Sequence, residues 1–196
     1  MDQSNLIFVV AIVAVIVIGL LVWATMRKKR TEHLQDRFGD EYDRTVEARG
    51  KRAAAEDDLL EREKRVDALD IRPLTIDERD RYAGEWKETK ALFVDAPNEA
   101  VMRADRLLGG MMETRGFPMG DFDRRYEDLT VNHGPVARAY RDGHEIADKK
   151  GDATTEELRR ALNHYEKLFD ELVKDAGSRD VDGDGVPDRP ATTTTN

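Results

Sequence analysis

The chain has 196 residues, no cysteine, 37% charged residues and a formal net charge of −9. Without cysteine there is no disulfide, no thiolate zinc site and no cysteine nucleophile, which suits a reducing cytoplasm. Four of the 32 basic residues stand at 27–30 and one of the 41 acids at Asp2, so residues 31–196 hold 28 bases against 40 acids, a net of −12; so acidic a surface repels nucleic acid and bare anionic bilayer, and no nucleic-acid partner is expected.

Residues 6–26, from Leu6 to Met26, carry no charge, and Arg27-Lys28-Lys29-Arg30 follows at once. At 1.5 Å per residue the run gives ~30 Å of helix, the thickness of a bilayer's hydrocarbon core. Residues 1–30 therefore read as a single-pass transmembrane anchor with a basic flank. A cleaved signal peptide would need a basic start, a shorter apolar stretch and small residues at its end. Here the start is Met1-Asp2-Gln3-Ser4-Asn5 and the end is Leu21-Val22-Trp23-Ala24-Thr25. Trp23 suits the membrane–water interface, and the four cations predict an N-terminus outside the cell membrane with the soluble domain in the cytoplasm. Each cation would attract anionic lipid by about 1 kcal/mol near the surface. Ala11, Ala14, Gly19 and Ala24 form no ridge of small residues for helix dimerisation.

Residues 31–72 read as a charged stalk helix. Asp40–Arg44, Glu47–Lys51, Asp58–Arg62 and Glu61–Arg65 are acid-before-base pairs four apart. Leu34, Phe38, Tyr42 and Val46 form one line, and Ala55, Leu59, Val66 and Leu69 continue at coiled-coil-like spacing. Two readings stay open: a solvated helix lifting the domain off the membrane, or a dimerising coiled coil. Gly39 and Gly50 are candidate breaks, and Pro73 stops the stalk by disfavouring helix at Arg72.

Residues 73–177 read as a helical bundle. Thr75-Ile76-Asp77-Glu78 is a capping box, and Tyr82, Trp86 and Phe93 share a face of the helix that follows. Pro97 starts the next helix, with Ala100, Ala104, Leu107, Leu108 and Met111 inward. Gly109-Gly110 inside it implies a kink or a close helix–helix approach. Arg115-Gly116-Phe117-Pro118 ends it. A short helix from Asp121 carries Phe122, Tyr126 and Leu129, and Gly134-Pro135 opens another with Val136, Tyr140 and Ala147 inward. Thr154-Thr155-Glu156-Glu157 is a second capping box, before the clearest apolar face: Leu158, Ala161, Leu162, Tyr165, Leu168, Phe169 and Leu172. No stretch alternates with period two. The expected fold is all-α: an N-terminal transmembrane helix, a stalk helix and a small four-helix-type bundle. Residues 178–196 are polar, rich in Gly, Pro and Thr, and read as a disordered acidic tail.

Four motifs, Phe38-Gly39-Asp40-Glu41-Tyr42-Asp43-Arg44, Leu69-Asp70-Ile71-Arg72-Pro73-Leu74, Phe93-Val94-Asp95-Ala96-Pro97 and Arg115-Gly116-Phe117-Pro118, carry a family resemblance. Residues 6 to about 174 resemble a widespread group of uncharacterised small bacterial membrane-anchored proteins with a helical soluble domain. The resemblance implies an anchor and a helical domain, and supplies no site residue.

The residues name little chemistry. His33, His133, His144 and His164 are scattered. His144-Glu145-Ile146-Ala147-Asp148 has the spacing of the zinc-protease motif, with Asp in place of the second His and no identifiable third ligand, so His144 reads as a surface residue. His133, beside Gly134-Pro135, reads as a turn residue. Asp180, Asp182, Asp184 and Asp188 stand at positions 1, 3, 5 and 9 of a calcium loop, with Gly185 at position 6. Position 12 is Ala191, so the bidentate Glu is missing. These four acids are a candidate weak Ca2+ site, against the plainer reading of a solubilising tail. No catalytic residue and no other cofactor is expected. The chain reads as a non-enzymatic interaction or scaffolding module, integral to the membrane, with a protein partner and an open oligomeric state. The alternative is a calcium-binding envelope protein with its domain outside the cytoplasm.

Overall fold

The computed structural model describes residues 3–118, 120–149, 151–174 and 176–177, with side chains from residue 14 onward. Every regular element among them is a helix: α1 (Gln3–Phe38), α2 (Asp40–Arg49), α3 (Arg52–Asp67), α4 (Ile76–Leu92), α5 (Pro97–Arg115), α6 (Phe122–Ala147) and α7 (Thr155–Val173). The chain divides within α3 into two compact units, Met1–Glu61 and Arg62–Asn196.

In the first unit the expected stalk helix is replaced by three segments. Gly39 has φ 53° and Gly50 φ 68°, left-handed values that side chains with a Cβ rarely adopt, so each ends a helix. Nor is the segment simply solvated. Leu34, Phe38 and Tyr42 are buried, as are Ala55 and Leu59. Glu56, a charged residue with no marked place in the sequence, is only 3% exposed. Its carboxylate accepts from Thr31 Oγ1 at 2.7 Å and Tyr42 Oη at 3.0 Å, and lies 3.5 Å from Arg30 Nε. One buried acid thereby joins α1, α2 and α3.

Among the described residues, no helix is long and apolar enough to cross a membrane. The side chains described in α1 begin at residue 14, so 14–26 is the part of the uncharged run they include. At 1.5 Å per residue that part alone is ~20 Å long. Its large apolar side chains (Val15 to Ile18, Leu20 to Trp23, and Met26) are each 47–70% exposed.

The second unit is a helical bundle. The central core is built from the faces the spacing predicted: Tyr82 and Trp86 of α4; Ala104, Leu107, Leu108 and Met111 of α5; Leu158, Ala161, Leu162, Tyr165, Leu168, Phe169 and Leu172 of α7. Both capping boxes form. The two helices expected between Asp121 and Ala147 run on as α6, kinked at His133 (φ −132°, ψ 39°) just before Pro135. His133 Nδ1 lies 3.1 Å from Glu171 Oε1. The unit begins before Pro73, because the end of α3 belongs to it. Arg65, expected to pair with Glu61, instead reaches the buried Asp128 at 2.8 Å and Glu127 at 3.0 Å. Arg115, buried at the end of α5, donates to the carbonyls of Arg72 at 3.1 Å and Leu172 at 2.9 Å. It thereby fastens the entry to α4 and the end of α7.

The glycines of the bundle separate sharply by role. Gly109-Gly110 neither breaks its helix nor makes the close approach expected of it: α5 continues through it without a break, and the nearest atom to an added Cβ is 3.9 Å away at each. Gly143 is the close-approach residue. A Cβ there would fall 2.8 Å from Tyr165 Cε1 and 3.3 Å from the Ala161 carbonyl oxygen. We expect Gly109→Ala to raise stability by about 0.5–1 kcal/mol through helix propensity. Gly143→Ala should lower it by about 1–3 kcal/mol through overpacking. Thermal melts of the two variants with the same sign of shift would refute this assignment.

The entry to α4 is also pH-sensitive. The Arg72 guanidinium grips Glu78 through two bonds of 2.7 Å, and the Thr75 N–H donates at 2.9 Å. Chiefly through Arg72, the Glu78 pKa falls from 4.5 to about 2. A depressed carboxylate contributes stability that is complete above its unfolded pKa and is lost as pH falls through the folded one. The melting temperature should therefore drop between pH 4.5 and 2. Glu78→Gln, which can still cap the helix, should make that drop shallower, and an unchanged acid limb would argue against the Arg72–Glu78 grip.

Candidate functional site

One face of α5 presents Asn98, Val101, Met102, Asp105 and Arg106, the i, i+3, i+4, i+7 and i+8 positions of a helix. The last turn of α6 presents His144, Ala147 and Asp148, and Leu158 of α7 closes the far side. These residues line a cleft of about 500 Å³. The tight passage of Gly143 over Tyr165 sets the spacing of α6 and α7 next to it.

Asp105 is the polar centre of this cleft. Tyr165 Oη donates to its Oδ1 at 3.2 Å, and His144 Nδ1 lies 3.6 Å from the same oxygen. Burial, and then the Asp105 charge, push both the Tyr140 and Tyr165 phenols up, so each stays a neutral hydroxyl. The His144 ring stacks on Phe122 with centroids 3.7 Å apart and planes 5° apart. Its sequence reading as a surface residue is thus corrected: the side chain is mostly covered and its orientation fixed. His144 and Asp148 also line a neighbouring, strongly charged cleft with Asp121, Asp123, Arg141 and Lys149.

The zinc-like spacing brings His144 and Asp148 to one cleft, and Glu145, 3.7 Å from Arg141 with 69% of its side chain exposed, joins them only in the neighbouring one. Among the described residues, no three His, Cys, Asp or Glu side chains converge to hold a metal. Asp180, Asp182, Asp184 and Asp188 lie outside the described residues. Among the described residues the cleft's lining holds no Ser, Thr, Cys or Lys. The cleft has an apolar wall, both signs of charge at its rim and an exposed Met102 at its mouth.

Asn98, Met102, Asp105 and Arg106 escaped the sequence reading because the buried stripe of Ala100, Ala104, Leu107 and Leu108 dominates α5. The available signal was a second, mixed stripe beside it at the same helical spacing. No family model, no curated protein and no solved structure matches this chain.

Proposed function

We propose that this protein is a membrane-anchored, non-enzymatic helical module that presents its bundle to a protein partner. The observation that carries the reading is α1. Residues 14–26 are apolar and exposed on every side of the helix, and the uncharged run they belong to extends back to Leu6. A helix apolar all round needs an apolar medium around it, and the apolar side chains of residues 14–26 are exposed. Lipid would. The basic flank at 27–30 then sets the N-terminus outside and the bundle in the cytoplasm. The partner's contact point is the α5–α6–α7 cleft, where Met102 and the apolar wall would receive one of its side chains and Arg106 and Asp148 would fix orientation.

Two measurements test this. After alkaline extraction of membranes the protein should stay in the pellet and detergent should release it; recovery in the alkaline supernatant would sink the anchor. The chain has no cysteine, so a single Cys placed at Ser178 reports the side of the bundle. A membrane-impermeant reagent should label it only after the cells are opened. For the partner, a photo-crosslinker at Met102 should capture a defined protein that the same group at Val94, 84% exposed and away from the cleft, does not. Identical adducts from both positions would remove the cleft from the interface.

A further inference from the structure

The cations at 27–30 do not act as one uniform flank. Arg30 is committed to the protein: its Nη2 lies 2.6 Å from Asp57 Oδ1 and its Nε 3.5 Å from Glu56. These contacts hold the first turns of α3 against α1. They also bring Arg52, 25 positions from Arg27 in the chain, to the same place as Arg27 and Lys28. Together with Trp23, Thr31 and Gln35, these three cations line a cleft of about 500 Å³. The Arg27 guanidinium lies over the Trp23 ring, 5.3 Å from its centroid. The acid among the lining residues is Glu32, which Lys28 approaches at 3.6 Å. Arg52 is exposed and makes no ion pair among the described residues. The cleft thus carries a net positive charge, with hydroxyl and amide groups beside it, at the level where the exposed apolar side chains of α1 end.

We propose that this cleft is a binding site for the phosphodiester headgroup of an anionic phospholipid. Arg27, Lys28 and Arg52 would neutralise the phosphate, the Gln35 amide would donate a hydrogen bond to it, and Trp23 would lie along the first carbons of the acyl chains. Charge complementarity and position select this occupant. Three cations against one acid favour an anion, and the exposed Val22, Trp23 and Met26 on the same helix favour one joined to hydrocarbon. The proposal rests on the reading of residues 6–26 as an anchor, and the experiment separates the two.

The full chain with Trp86→Phe keeps Trp23 as its one tryptophan. It is reconstituted into phosphatidylcholine vesicles that contain a small, equal fraction of either brominated phosphatidylglycerol or brominated phosphatidylcholine. Co-flotation with the vesicles tests the anchor; a protein left at the bottom of the gradient overturns that reading and the lipid site with it. In floated samples the brominated anionic lipid should quench Trp23 more strongly than its zwitterionic counterpart. Arg52→Gln should reduce the preference about fivefold, the effect of one interfacial cation. Equal quenching by the two lipids in the chain that retains Arg52 overturns the headgroup site while the anchor stands. That comparison needs no second substitution to fold. An unchanged preference in an Arg52→Gln chain with intact helical signal also overturns the site. Soluble glycerol phosphate at millimolar concentration should leave the preference intact. Its abolition would show a site for free phosphate instead and refute the lipid assignment.

Discussion

Trp86→Ala should destabilise the bundle by about 3–5 kcal/mol, the cost of removing a buried aromatic ring and leaving its cavity. Trp86 is 3% exposed and stacks on Phe169, with centroids 4.9 Å apart and planes 10° apart. The stack joins α4 to α7, two helices that otherwise meet mainly through α5. Its loss should therefore loosen α4 as a unit rather than dimple the surface. The indole Nε1 has no hydrogen-bond partner among the described residues, so the ring acts through area and shape. Trp86→Phe, which keeps a stacked ring and gives up no hydrogen bond, should cost less than about 1.5 kcal/mol. Chemical denaturation of the two variants beside the parent chain measures both numbers. Domains of this size have roughly 5–15 kcal/mol in total, so the alanine variant should be visibly crippled at 37 °C. A loss below about 1 kcal/mol would mean that the aromatic face is open in solution and available for binding.

Most of the bundle was legible in the sequence because its signals are local. Two capping boxes, the Pro97 start, the Gly116 stop and the 3–4 spacing of α7 each act within a few residues of chain, and each has its counterpart in the structure. The break at His133 was legible for the same reason, since Pro135 disrupts the helix where it stands. What stayed hidden depends on partners far along the chain. Arg65 looks like half of an i,i+4 pair with Glu61 until α6 offers it the buried Asp128, 63 residues away. Gly143 has no local duty and is explained only by the Tyr165 ring beneath it. Gly109-Gly110, conspicuous in the sequence, turns out to touch nothing tightly. The α5–α6–α7 cleft was hidden for the same reason: its residues come from three helices, and the single motif among them, His144 to Asp148, lacks a third metal ligand and so read as a surface histidine rather than as a neighbour of Asp105.

Glu56 gives the second large effect, and it lies in the first unit. Glu56→Ala should free the start of α3 from α1. The carboxylate is buried, and its removal strands the Thr31 and Tyr42 hydroxyls and weakens the hold on Arg30. Breaking a buried charged cluster by deleting one member costs about 3–5 kcal/mol, because the polar groups left behind lose both partner and water. Arg30 keeps Asp57 at 2.6 Å, so the loss should sit toward the lower end of that range. Glu56→Gln separates charge from hydrogen bonding. The amide can still accept from Tyr42 and Thr31 but offers Arg30 no charge, and it should retain roughly half of the stability that alanine loses. Tyr42 supplies a local reporter. Burial and then the Glu56 hydrogen bond push its phenol up, so both substitutions should bring its titration back toward the ordinary tyrosine range. Amide exchange should quicken across α2 and the first turns of α3 in Glu56→Ala while the core of α5 and α7 stays protected. Uniform quickening of both units would show that they unfold together. No change near Glu56 would mean that the three helices are held by Leu34, Phe38 and Leu59 alone.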